Sequence, residues 1–276
     1  MSTLQVLGHA AYKTDILVFV AHPDDETAIS SYLERVAKDE QKRVSVVYAT
    51  RGSGGGNDLN HAHAKALGLI REVEARKALA TLGIEHVWFL DGLDTEGQNV
   101  LASLANWEYG TVLEEAVRLV RLTRPEVILT WVPSLVGNHG DHQAAGVLAT
   151  QAFDMAGNPT VFPDQVNAPP ELGKNDLEGL HLWQPKKIYY FTQDQTLDLT
   201  AYGPCYNNTV ISPSRNVSYQ HMAYTKRPVS MARKAIFGIS PAPWRKTNDS
   251  NAANAMLTNL EPNFSDAMSL IYFRIG

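Results

Sequence analysis

The sequence predicts an α/β protein: a Rossmann-like open, mostly parallel sheet with helices on both faces, plus an irregular C-terminal extension. Two observations carry the prediction. Strand-like and helix-like segments alternate through the first two-thirds of the chain, the pattern of parallel strands joined by helical crossovers. The first strand, residues 16–21 (ILVFVA), is a continuous apolar run, as expected of a strand covered on both faces. Crossovers of this kind are right-handed and close into an open sandwich. The ligand crevice of such a sheet lies beyond the carboxyl ends of its strands.

The elements follow in chain order. Residues 27–38 carry Ala28, Leu33, Val36 and Ala37 at helical spacing. Residues 43–50 (RVSVVYAT) are β-branched and strand-like, and 52–60 form a glycine-rich loop. A long helix is predicted over 65–82, with Leu69, Ile70, Val73, Leu79 and Leu82 apolar and Gly83 placed to end it. Residues 86–90 (HVWFL) are a third strand, 109–122 a helix closed off by Pro125, and 127–132 (VILTWV) a fourth strand. A helix over 141–156 and a fifth strand over 187–192 (KIYYFT) complete the pattern. Pro, Asn and Gly concentrate in 157–186 and 202–262. These segments read as loops and short elements decorating one domain, 1–276, whose motif-bearing core is about 14–156, with insertions and tail over about 157–276.

Composition narrows the function. With 276 residues, 44% hydrophobic and 19% charged, the chain is a folded globular protein and not a disordered tail, a collagen or a coiled coil. Its formal charge of -5, from 24 Lys+Arg against 29 Asp+Glu, leaves no basic surplus to hold a polyanion, so nucleic acid is not an expected partner. No stretch approaches the ~20 apolar residues that cross a bilayer. The N-terminus lacks the pattern of a secretory signal, so the cytoplasm is the expected compartment. A single cysteine, Cys205, excludes an intrachain disulfide. The Asn-x-Ser/Thr triplets at Asn207, Asn216, Asn248 and Asn263 arise readily by chance in an Asn-rich tail and carry little weight.

The chemistry sits in two loops that follow strands. The first reads Ala21-His22-Pro23-Asp24-Asp25-Glu26 and the second Asn138-His139-Gly140-Asp141-His142. Imidazole and carboxylate groups are what a divalent metal of the zinc type takes, and a catalytic site keeps one position open for water. Neither loop has cysteine, which argues against a purely structural zinc. His22 and Asp25 are three apart at a helix entry, as are His139 and His142. Residues three apart share a helical face, so each loop can aim two side chains at one point. A carboxylate adjacent to a ligand does not easily reach the same ion, which leaves Asp24 free to act as a base.

These two loops, in this order, resemble the PIG-L/LmbE family of zinc-dependent deacetylases of N-acetylglucosamine compounds. The resemblance runs from about Ile16 to Ala152. It includes Thr50-Arg51-Gly52, Arg71-Glu72-x-Glu74, Leu82-Gly83 and the segment from Asp91 to Asp94. It implies metal ligands at His22, Asp25 and His142 and a general base at Asp24. His139 would polarise the amide carbonyl or protonate the leaving amine. Asp141 would orient a histidine from behind, and Arg71 and Asp94 would contact sugar. The implied cofactor is zinc, or iron(II), since His and carboxylate serve both. Ser53 stands where the family usually has Glu, and Gly137 where some relatives have Tyr.

Each feature has a plainer reading. His22 and Asp25 alone would be a capped helix start, and His139 and His142 alone a solvated loop. Gly52–Gly56 follows neither the dinucleotide nor the Walker pattern and reads as a flexible rim. His61 and His63 read as surface residues. Arg71 on a charged helix face fits simple solvation, and Trp107, Trp131, Trp183 and Trp244 fit the core. Trp131, at the end of strand four, falls nearest the expected site. Taken together the sequence favours a metal-dependent hydrolase removing acetyl from a small N-acetylated sugar or conjugate. The competing readings are a hydratase or other amide hydrolase with the same metal kit, and a non-catalytic sugar- or nucleotide-binding module. Homo-oligomerisation is left open.

Overall fold

The computed structural model describes residues 10–56, 62–133, 138–167, 180–192, 206–207, 209–225 and 271–275. Strands β1 (Ile16–Val20), β2 (Val44–Thr50), β3 (His86–Gly92), β4 (Val127–Trp131), β5 (Lys187–Phe191) and β6 (Ile271–Ile275) form one sheet in the order β3-β2-β1-β4-β5-β6. The first five run parallel, and β6 pairs antiparallel with β5. The expected open, mostly parallel sheet is what forms. The antiparallel edge strand was not read from the sequence.

β1 and β2 are buried along their whole length, the reason their sequences show no alternation. One apolar cluster fills each face. Phe19, Leu17 and Val47 pack with Val117, Val120 and Leu148 on one side, and Val18, Val46 and Leu129 pack with Leu33, Leu79 and Ile84 on the other. The covering helices are α2 (Ala64–Thr81), α3 (Val100–Asn106), α4 (Tyr109–Thr123) and α5 (Gly140–Met155). α5 lies so close to β4 that a Cβ on Gly146 would collide with the carbonyl oxygen of Trp131, so this contact admits glycine only.

Two departures matter. The helix expected over 27–38 is instead a 3-10 turn (Asp25–Ile29), an α-helical turn α1 (Ser30–Glu34) and a π turn (Arg35–Asp39). The changing pitch buries Ala28, Leu33 and Val36, three of the four residues expected to face inward, together with Ile29, while Ala37 is half-buried. Helix α3 was not expected. Its start is set by Asn99, whose side chain accepts from the backbone N–H groups of Leu101 and Ala102, a capping signal present in the sequence. The short helices α6 (Asp164–Asn167) and α7 (Tyr219–Thr225) are among the short elements expected in 157–186 and 202–262. His9, His61, Gly137 and Trp244 fall outside the described residues.

The connection order reverses at β1, which lies between β2 and β4. That is the switch point where open α/β sheets place their ligand crevice. Both chemistry-bearing loops emerge there, one from β1 and one after β4.

Candidate metal centre

The two loops meet. His142 Nε2 lies 3.1 Å from Asp25 Oδ1, and His22 Nδ1 lies 3.6 Å from the same oxygen. The donor atoms of His22, Asp25 and His142 all fall within 4.8 Å of one another. His139 is beside them, its ring centroid 5.0 Å from that of His22. His22, Asp25 and Asp141 are buried and His139 and His142 half-buried. The capped-helix and solvated-loop readings fail together, because each loop supplies the other's partner.

Every one of these groups is held from behind. Asp25 Oδ2 accepts from the backbone N–H of Ala21 (2.9 Å) and of His22 (3.0 Å), and from the indole Nε1 of Trp131 (2.9 Å). Its other oxygen, Oδ1, is the one that faces the imidazoles. Trp131 also stacks flat on the His142 ring, at 4.3 Å and 6°, so a single buried side chain fixes two of the three residues. His142 Nδ1 meets Asn138 Oδ1 at 3.1 Å. A proton held there leaves Nε2 with its lone pair toward Asp25. His22 Nε2 faces Asp94 Oδ1 at 3.1 Å and Asp141 Oδ2 at 3.2 Å. Asp141 is in turn fixed by Thr95, through the backbone N–H (3.1 Å) and the hydroxyl (2.9 Å). Carboxylates that take the far N–H of an imidazole set its tautomer and raise its basicity.

The electrostatics favour a cation. Burial opposes charging His22, but Asp141, Asp25 and Asp94 outweigh burial and hold its pKa well above the usual histidine value. Burial likewise pushes Asp25 up, yet His142 and His22 hold it well below the usual carboxylate range. The carboxylates of Asp25, Asp94 and Asp141 that favour a proton on His22 would favour a metal cation in the same field. His139 is different: burial, then His22 and His142, lower its pKa. Its Nδ1 accepts the backbone N–H of Asp141 at 3.1 Å, so its own proton belongs on Nε2.

Asp24 sits apart from the ligand group. Its backbone is left-handed, φ 118° and ψ -17°, and its side chain is about nine-tenths buried. Oδ1 has no hydrogen-bond partner among the described residues, and a guanidinium nitrogen of Arg71, Nη2, is 3.6 Å away. Burial raises the carboxyl to about 7, against the opposing pull of Arg71 and with Asp25 and Glu26 adding to the rise.

Arg71 and Asp94 are not extended on a rim. Arg71 is buried; Nη1 donates to Gly52 O (2.6 Å) and Nη2 to Pro23 O (3.1 Å). A Cβ on Gly52, whose φ is +65°, would collide with that guanidinium, so glycine is required on both counts. Asp94 Oδ2 accepts from Gly54 N–H at 2.7 Å. The glycine-rich segment is thereby pinned at 52–54 and not a free flap. Glu26, Tyr48, Thr95 and Asn138 also support the site without having been singled out from the sequence. Glu26 closes the first motif and Asn138 opens the second, so proximity to the motifs was their signal. Tyr48 and Thr95 had none.

Comparison with known proteins fits this geometry. Residues 17–153 match the family model described as PIG-L, GlcNAc-PI de-N-acetylase.

This segment is a PIG-L family domain.

Among its relatives, a 1D-myo-inositol 2-acetamido-2-deoxy-alpha-D-glucopyranoside deacetylase 1 of Frankia alni is 32% identical over 61% of this chain and 59% of its own. A deacetylase 2 of the same description from Saccharopolyspora erythraea is 33% identical over 62% and 63%. The chain therefore spans about three-fifths of these relatives' lengths. By structure it resembles the N,N'-diacetylchitobiose deacetylase of Pyrococcus horikoshii, with a TM-score of 0.59, 19% identity and coverage of 95% and 84% of the two chains. It also resembles the 4-carboxy-2-hydroxymuconate hydratase of Pseudomonas putida KT2440, with a TM-score of 0.53, 15% identity and coverage of 96% and 97%. At such identities these likenesses establish the fold, and the fold alone does not choose between hydrolysis and hydration. Among the described residues, no helix is long and apolar enough to cross a membrane.

Proposed function

We propose that this protein is a metal-dependent hydrolase that removes the acetyl group from an N-acetylated amino sugar or glycoconjugate. The observation that carries the reading is the convergence of His22, Asp25 and His142 on one point, with Asp24 Oδ1, which has no hydrogen-bond partner among the described residues, in the adjacent buried loop position. Two imidazoles and a carboxylate, all fixed from behind, are a donor set that fits zinc or iron(II) and that leaves a coordination position open. When bound, the ion supplies Lewis-acid charge that acidifies water and takes up charge developing on the amide oxygen. The relatives named for deacetylation of a 2-acetamido-2-deoxyglucoside support an N-acetylglucosamine compound as substrate.

The protein's own groups divide the remaining work. Asp24 accepts a proton from the attacking water, a role suited to a carboxyl whose pKa burial has lifted. Neutral His139, with Nδ1 already accepting from Asp141 N–H, presents Nε2–H as a donor to the carbonyl oxygen as negative charge builds there. As its proton leaves, the water oxygen bonds to the amide carbon; the C–N bond then breaks as the proton on Asp24 passes to the amine nitrogen, and the second water proton follows it, so that acetate and a protonated amine leave. Arg71 ties the loop after β1 to the loop after β2 through Pro23 and Gly52. Asp141 and Asp94 hold His22.

The reading treats the chain as one deacetylase unit acting in the cytoplasm on a small substrate. Two features of the tail support its place in that unit: β6 pairs with β5, and Ser212 and Tyr219 bond to Asp39. The test is acetate release from a panel of N-acetylated sugars and glycosides. Release should stop with chelator and return with added zinc or iron(II). Release from no N-acetylated compound, or release that chelator leaves intact, overturns the reading.

A further inference from the structure

The backbone at Asp24 raises a question that the ligand set does not answer. A φ of 118° is strained for an L-residue other than glycine, and strain of this kind persists only where surrounding contacts over-determine it. Here both polar ends of the Pro23–Asp24 peptide are gripped. Arg71 Nη2 donates to the carbonyl oxygen of Pro23 at 3.1 Å. On the other side, Asp24 N–H donates to Glu26 Oε2 at 3.1 Å. That same Oε2 accepts the hydroxyl of Tyr48 at 2.7 Å. Tyr48 is fully buried on β2 and stacked on Phe89, ring centroids 4.9 Å apart. It is therefore a rigid post, on a strand that carries no metal ligand, connected to the backbone of Asp24 through one carboxylate oxygen.

We propose that Tyr48 and Glu26 are positioning residues for the reaction, holding the Pro23–Asp24 peptide in its left-handed conformation so that Asp24 Oδ1 stays unbonded and available to water. The inference rests on the reading of Asp24 as the base. Neither residue touches the metal-ligand side chains in any contact described above, so their effect separates from metal binding. Relaxation of residue 24 to an ordinary negative φ would rotate its side chain relative to the peptide and move the carboxylate. Displacement of a reacting group on this scale costs rate and not substrate affinity.

Three variants test this against a merely structural role. Tyr48→Phe removes one hydroxyl and keeps the packing; kcat should fall about 10-fold with KM within about two-fold, as expected of a misplaced base. Glu26→Ala removes the acceptor altogether and should lower kcat by about 100-fold. Glu26→Gln keeps a side-chain oxygen that can accept both Tyr48 O–H and Asp24 N–H, and should recover kcat to within about three-fold of wild type. Zinc or cobalt(II) should bind all three with unchanged stoichiometry and affinity. In the metal-free protein, hydrogen exchange of the Asp24 amide should accelerate in Tyr48→Phe and Glu26→Ala but not in Glu26→Gln. Wild-type kcat in Tyr48→Phe overturns the proposal, as does a loss of kcat that tracks loss of bound metal, or a Glu26→Gln as slow as Glu26→Ala. Asp24→Asn run alongside separates the two ideas: if it turns over normally, the base reading itself fails whatever Tyr48 does.

Discussion

Two buried arginines show how this molecule separates architecture from chemistry. Arg121, on α4, spends all five of its N–H donors on neutral oxygens: the carbonyls of Ala156, Phe162, Asn158 and Val161, and the side-chain oxygen of Gln165. No carboxylate is among those partners, and burial, then Arg118, lowers its pKa. Arg71 makes two carbonyl bonds, has no hydrogen-bond partner for Nε among the described residues, and lies 3.6 Å from Asp24 Oδ1. The saturated guanidinium pins the chain between 156 and 165 onto the helical layer. The unsaturated one faces a carboxylate that is itself incompletely bonded. Buried polar groups are ordinarily satisfied, so the shortfall at Arg71 and Asp24 is what the proposed role of Asp24 as base would require.

The sharpest test of that contrast is the carboxylate. Asp24→Asn tolerates the left-handed backbone, since Asn is among the residues that visit it, and should bind metal normally while losing ~10²–10⁴-fold in kcat. Metal-free Asp24→Asn would move Asp24 into the ligand set and erase the contrast. The arginines come next. Arg121→Met strands several buried carbonyls and should lower the unfolding free energy by roughly 3 kcal/mol or more, with kcat of the folded protein nearly unchanged. Arg71→Met should show the reverse ratio, about 1–2 kcal/mol in stability and at least ~10-fold in kcat. Denaturant melts beside steady-state kinetics decide it, and equal ratios in the two variants would dissolve the distinction.

A smaller effect probes the ligand side. Trp131→Phe keeps an aromatic ring against His142 but removes the N–H that Asp25 Oδ2 accepts. Metal affinity should fall ~10–100-fold, the usual range for loss of an outer partner, as measured by competition with a chromophoric chelator. Unchanged affinity would show that the two backbone donors to Asp25 suffice. The smallest expected effect is in the architecture. Burial would raise the Asp39 carboxyl, but Ser212, Ser214 and Tyr219 donate to it and, with Arg215 nearby, hold it at about 2. Because the folded value lies below the ordinary ~4 of an unfolded Asp, this contribution is complete above that pH and disappears as pH falls through about 2. Limited proteolysis between Asn207 and Tyr219 should accelerate over that window, and Asp39→Asn should show the faster cleavage already at neutral pH.

Much of this was legible from residue types in order. The alternation of strand-like and helix-like segments and the apolar run at β1 gave the parallel sheet, because burial on both faces leaves a pattern that needs no partner to read. The apolar spacing read in α2 was less faithful: of the five residues named there only Leu79 is buried, and Leu69 and Val73 are exposed. The loops after β1 and β4 carried the ligand types at matching spacing. The segment after β1 misled, because three turns of different pitch bury Ala28, Leu33 and Val36 much as one helix would. α3 and β6 were missed because a seven-residue helix with an exposed Leu101 and a five-residue edge strand carry too little periodicity. Arg121 gave no sign at all, since its partners are almost all backbone carbonyls and any sequence supplies those.

The amino-acid sequence by itself determined the parallel α/β class, the residues able to hold a divalent ion, and the acid left beside them. These depend on side-chain chemistry and on spacing within a few residues, which the chain carries wherever it goes. Only the tertiary structure decided that the loop after β1 meets the loop after β4 at the reversal of strand order, that Trp131 fixes both Asp25 and His142, and that Tyr48 reaches Asp24 through Glu26. Those contacts join residues distant along the chain, and they exist because sheet order and packing bring the residues together.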